Sequence, residues 1–135
     1  MQGNAEIHQA FREALKAATF RLPIHWQNMS YTPDLKQPYL EEHFLPAPTA
    51  TPTMGDLLVR AEGIYQITCV YPFGKGSGEI ARMADAIIKK FRRGTNLIAN
   101  ETGITITNAW ASPVLPDSAW IRIPISLRYF SYITP

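Results

Sequence analysis

From Leu57 to Tyr71 apolar and polar residues alternate along fifteen positions, and no other stretch so narrows what the chain can become. Leu57, Val59, Ala61, Tyr65, Ile67, Cys69 and Tyr71 share one parity, while Arg60, Glu62, Gln66 and Thr68 share the other. Successive side chains of a strand point to opposite faces, so the pattern demands a strand with one buried and one wet face. Gly63 interrupts the run and is expected to mark a bulge, kink or break. The segment Trp120 to Ile133 repeats the pattern, with Ile121, Ile123, Ile125, Leu127, Tyr129 and Ile133 set against Arg122, Ser126 and Arg128. Pro124 brings no ladder donor, which points to a sheet edge or a bulge.

Two such strands need a cover, and two segments with helical spacing supply one. Over Ala5–Thr19, Ile7, Phe11, Leu15 and Ala18 recur at three and four residues, with Ala10 and Ala14 widening the stripe. Asn4 is placed to cap this helix, Glu6 suits the positive end of its dipole, and Pro23 forbids continuation. The second helix carries Ile80, Met83, Ala84, Ile87, Ile88 and Phe91 on one face. Glu79 stands in its first turn, Lys89, Lys90, Arg92 and Arg93 at its end, and Gly94 as a candidate C-cap. Shorter strands are expected at Ile24–Trp26, Tyr39–Leu45, Leu97–Asn100 and Ile104–Ala111, with a loop over Ser112–Ser118. The fold class predicted is α+β, a two-layer sandwich with a mostly antiparallel sheet and two main helices packed on one face. At 135 residues the chain reads as a single domain. The Pro/Thr-rich part of residues 31–54, with Pro46, Pro48 and Pro52, reads as an exposed arm or loop.

Chemistry is sparse. His8, His25 and His43 stand at no familiar metal-ligand spacing, so no metal site is expected. Cys69, the single cysteine, lies on the buried parity and reads as a core residue rather than a nucleophile. Glu41 and Glu42 are adjacent, which sets them on opposite faces of a strand and against service as an acid–base pair. Phe73-Gly-Lys-Gly-Ser-Gly78 joins a strand to a helix, the context of a phosphate-binding loop. Its spacing departs from that motif, because Lys75 is followed by Gly76 and no glycine stands five residues before Gly74. Gly74, Gly76 and Gly78 therefore read as a fold turn, with no catalytic residue and no cofactor. A net charge of +2 argues against a sequence-specific nucleic-acid binder. No apolar run is long enough to span a membrane, and the N-terminus has no signal-peptide pattern, so synthesis in the cytoplasm is expected.

The wet face of the last strand is unusual. Trp120, Phe130 and Tyr132 share it with Arg122 and Arg128, which fits equally the composition of an interface core and a second layer packed against the N-terminal helix. Together with Phe44, Pro46, Pro48 and Pro52 they are the candidate contact residues. The segments Gly63-Ile-Tyr-Gln-Ile-Thr-Cys-Val-Tyr-Pro72, Ala81-Arg-Met-Ala-Asp-Ala-Ile-Ile-Lys-Lys-Phe91 and Trp120-Ile-Arg-Ile-Pro-Ile-Ser-Leu-Arg-Tyr129 resemble the small phage tail-terminator-like family. The resemblance implies a non-enzymatic virion protein that caps the head-proximal end of a tail tube and ends its polymerisation. It implies self-association into a ring, commonly a hexamer, with the tail tube protein and a head-completion or neck protein as partners. A head-closure or neck connector is the alternative, with a small ligand-binding α+β domain behind it.

Overall fold

The computed structural model describes residues 4–33, 36–47, 59–74, 78–99 and 102–133. Helix α1 spans Asn4–Ala17 and helix α2 Gly78–Lys90. The strands are β1 (Ile24–His25), β2 (Tyr39–Pro46), β3 (Val59–Pro72), β4 (Asn96–Ala99), β5 (Thr102–Ala111), β6 (Leu115–Asp117) and β7 (Trp120–Ile133). They form one sheet in the order β1-β2-β3-β7-β5-β4, with β6 also pairing with β7. β1 and β2 are parallel and the other pairings are antiparallel, so the sheet is mixed.

The helices follow the expected stripes. Ile7, Ala10, Phe11 and Leu15 of α1 and Ile80, Ala84 and Ile87 of α2 are buried, and Phe91 continues the second stripe past the helix end. They meet the inner faces of β3 and β7, where Tyr65, Ile67, Ile125, Leu127 and Tyr129 are at most 1% exposed. Burying each such side chain contributes about 1.5–3 kcal/mol, so this one core dominates stability. Gly94, at φ 90°, does not cap α2: it sits in a turn closed by Thr95 N–H donating to Arg92 C=O. Its own N–H donates to Ile106 C=O, which ties that turn to β5.

The α+β class holds, but the sheet is curled into a half-barrel in place of one layer of a two-layer sandwich. Side chains of α1 reach Glu42 on β2, while the same helix lies against β4 and β5. Four strand spacings separate β2 from β4, roughly 19 Å in a flat sheet, whereas a helix with its side chains is only about 10–12 Å across. One helix touches both because the sheet wraps around it.

Three further expectations are corrected. Gly63 is no bulge: β3 runs through it in unbroken register, opposite Pro46 on one side and Tyr129 on the other. Glycine is required there by crowding, since a Cβ would lie 2.7 Å from both Leu45 O and Tyr129 Oη and 2.9 Å from Pro46 Cα. β7 is interior, not an edge, flanked by β3 along its length and by β5 and β6 on the other side. Pro124 is tolerated because its missing donor faces the gap between β5 and β6, where its carbonyl accepts from Ser112 N–H. The loop expected at Ser112–Ser118 contains β6, whose short hairpin with β7 turns at Ser118 with φ 55°.

Candidate assembly surface

Cross-strand register decides which side chains share the outer face of the sheet. Arg60, Glu62 and Ile64 of β3 stand opposite Tyr132, Phe130 and Arg128 of β7. The Arg60 guanidinium lies 4.1 Å from the centre of the Phe130 ring and also pairs with Glu62. Arg128 is exposed and lies over Trp110 of β5 at 5.7 Å. Tyr132 is 51% exposed, and Leu45, at the near end of β2, 50%. A groove of about 540 Å³ runs among Arg60, Ile64, Arg128 and Phe130. An arginine over a ring keeps both apolar area and charge at the surface, a composition enriched in interface cores.

The other end of the outer face is already covered. Trp120 packs edge-on against Tyr39 with Val70 beneath, and Tyr31 lies over them. Trp120, one of the expected contact residues, is thus buried in a second small core of the subunit. Arg122 donates to Glu41 at 2.9 Å and to Asp117 at 2.9 Å. Burial would raise the Glu41 carboxyl, but the Arg122 bond and charge, with bonds from His43 and Tyr39, hold it below the usual carboxylate range.

Phe44, another expected contact residue, is also buried. It faces inward, stacked on His8 at 4.7 Å and near Tyr129 at 5.9 Å, and belongs to the main core. Within residues 31–54, where the exposed arm or loop was expected, Tyr39–Pro46 is strand β2, and residues 34–35 and 48–54 lie outside the described residues. Pro46 ends that strand and is exposed. Pro48, Pro52, Leu57, Lys75 and Gly76 lie outside the described residues. Gly74 adopts φ 99° in the turn after β3, and Gly78 is the first residue of α2. Of the contact residues expected, the structure thus brings together Arg128, Phe130 and Tyr132.

The sequence reading missed the importance of Glu42. Its side chain is fully buried on the inner face. Among the described residues four donors converge on it: Arg12 Nε at 2.9 Å, His8 Nε2 at 3.1 Å, Gln27 N–H at 3.2 Å, and the Tyr65 hydroxyl. Burial alone would raise its pKa, but the bonds from Tyr65 and Arg12, the charge of His8 and the Gln27 amide outweigh it and hold the carboxyl below its ordinary value. Glu42 thereby pins α1 and the turn after β1 to β2. A signal was present, since Leu40, Glu42 and Phe44 share one parity and the flanking two are apolar.

Catalytic equipment is scarce in the same geometry. Cys69 is fully buried and burial pushes its thiol up to about 12, so it is not a thiolate at neutral pH. Among the described residues no group of three His, Cys, Asp or Glu side chains is placed to hold a metal ion. No described helix is long and apolar enough to cross a membrane.

A family model described as phage tail terminator protein matches residues 6–129. The chain belongs to the phage tail terminator family. As a member of that family it is a structural component of a phage tail and of the virion. No curated protein matches it. A solved structure without a descriptive name is 27% identical, with a TM-score of 0.80, over 100% of this chain and 99% of its own. A chain from the virion of a native gene transfer agent particle is 15% identical, with a TM-score of 0.52, over 96% of this chain and 93% of its own, a likeness of fold. The terminator family therefore accounts for the α+β fold over nearly the whole chain.

Proposed function

We propose that the chain closes into a hexameric ring on the head-proximal end of a phage tail tube. The ring ends tube polymerisation and offers a joining surface to a head-completion or neck protein. The observation that carries this reading is the outer-face cluster of Phe130, Tyr132, Arg128 and Arg60, over which no described residue packs as Tyr31 and Tyr39 pack on Trp120 at the other end. A closed ring needs one contact repeated around an axis, and such a cluster supplies the anchor side chains that dominate interface energies. Family membership supports the tail role, and the virion chain of the gene transfer agent particle supports a place in a particle.

The test is Phe130→Asp. The side chain is half-buried on the outer face, so the subunit should stay folded while its docking is lost. Native mass measurement should then show no ring, and electron microscopy of assembled tails should show overlong tubes. Tails of normal length from this variant, or finished tails that carry only a copy or two of the chain, refute the ring. The latter result would favour a head-closure adaptor.

A further inference from the structure

The corner where α1 ends and β1 begins is more elaborate than the core requires. Two hollows of about 210 and 270 Å³ share Lys16 and Trp26 on their walls. Trp26 is half-buried between them, and Met29 beside it is 60% exposed. Lys16 and Arg21 are exposed, and among the described residues neither forms an ion pair, whereas neighbouring Arg12 is held by Glu42. Glu13, on the same helix, is engaged with Gln9 at 3.2 Å.

The backbone at this corner is held in an uncommon shape. Thr19 (φ 50°) and Arg21 (φ 63°) line the second hollow, Asn28 (φ 62°) precedes Met29 of the first, and side chains with a Cβ rarely adopt such angles. Residues in these conformations persist only where their surroundings fix them. The contacts that fix the second turn are visible. Gln27 N–H donates to buried Glu42, Gln27 Oε1 accepts from Phe44 N–H, and His25 Nε2 donates to Met29 C=O at 2.8 Å. β1 is also a sheet edge whose outer side has no strand neighbour among the described residues.

We infer that this corner docks an acidic, extended segment of a different protein. One apolar side chain of that segment sits beside Trp26 and Met29, its carboxylates meet Lys16 and Arg21, and its backbone runs along the open edge of β1. Charge complementarity selects this occupant. A second copy of the chain is a poor one. The chain carries +2, and its exposed carboxylates without an ion pair among the described residues are Glu13, which lies at this corner itself, and Glu79 and Asp85, which flank Arg82 on α2. Nucleic acid is a poor one too, because a phosphate backbone calls for a track of cations, and this corner offers two around largely apolar walls. The inference is independent of the ring, whose contact lies on the outer face of the sheet.

The probe is a fluorescein-labelled heptapeptide of glutamate and aspartate around one central leucine, titrated with the full chain and followed by fluorescence anisotropy. The wild type should bind it, and replacing the leucine by serine should weaken binding. Lys16→Glu with Arg21→Glu should weaken binding by about tenfold or more without changing the unfolding temperature. Met29→Ala should weaken it as well, from an exposed position that does not threaten folding. Lys89→Glu with Lys90→Glu, on α2, should bind as the wild type does. Equal binding by the Lys16/Arg21 variant, or equal loss in the Lys89/Lys90 variant, overturns the inference. So does tighter binding of a single-stranded DNA oligonucleotide that depends on Lys16 and Arg21. A change in self-association on charge reversal at the corner, read by sedimentation, overturns it in favour of a second copy.

Discussion

Replacing Glu42 by Gln tests whether a buried carboxylate organises this subunit. The substitution keeps the shape but removes the charge, and the new amide presents hydrogens where donors already converge. Tyr65 is fully buried, so its hydroxyl cannot turn to water. Arg12 is about a third exposed at its side chain and recovers part of its solvation, which lowers its share of the loss. Breaking a buried, hydrogen-bonded charge pair costs about 3–5 kcal/mol. For a chain of this length about 1 kcal/mol corresponds to roughly 3–5 °C, so the unfolding temperature should fall by roughly 10–20 °C. The pH dependence carries a sign. The folded Glu42 carboxyl is held below the ordinary value of 4.5. Its contribution is therefore complete above that value and is lost as pH falls through the lower folded value. Urea unfolding should show a wide gap between wild type and Glu42→Gln at neutral pH and a narrower one as acid protonates the native carboxyl. A loss below about 1 kcal/mol at neutral pH would show that the site is solvated and that α1 is held by its apolar face alone.

Gly63→Ala should cost about 1–3 kcal/mol by overpacking, read from thermal unfolding, because the added Cβ meets two oxygens at 2.7 Å. Tyr129→Phe in that background should recover only part of the loss, since Leu45 O and Pro46 Cα still obstruct. Cys69 should resist a thiol reagent at pH 8 in the folded protein and react fully in denaturant, because it is fully buried and its thiol is pushed up to about 12.

Periodicity carried the elements that are stabilised by their own pattern. The second helix was legible because its apolar stripe, acidic start and basic end agree, and β7 begins and ends where alternation from Trp120 to Ile133 does. What failed depended on neighbours. Alternation alone cannot say that β7 lies between β3 and β5, nor that Tyr31 and Tyr39 cover Trp120. Gly63 looked like a break because its reason is a close approach by Tyr129 and Leu45, which come from other strands. β6 was hidden by Pro113 and Pro116, since a three-residue strand leaves little pattern to read. The burial of Phe44 and Glu42 was not legible: their shared parity was visible, but nothing in the sequence shows the four donors that let a carboxylate sit beside an aromatic on an inner face. Within the candidate surface, Arg128, Phe130 and Tyr132 were legible as a face, whereas Arg60 joined them only through the strand register.

The sheet order has a consequence for how the chain is made. β2 and β3 pair with each other, and so do β4 and β5, so each pair is available as soon as it leaves the ribosome. The two pairs do not touch along the sheet until β7, the last described strand to be synthesised, enters between β3 and β5. Until then both strands present unpaired edges, and loop-closure entropy opposes bringing them together. Closure of the sheet therefore waits for β7, the last of the described strands in chain order. A nascent chain halted before β7 holds two hairpins and no closed core. Such a fragment lacks Phe130 and Tyr132, which β7 itself carries.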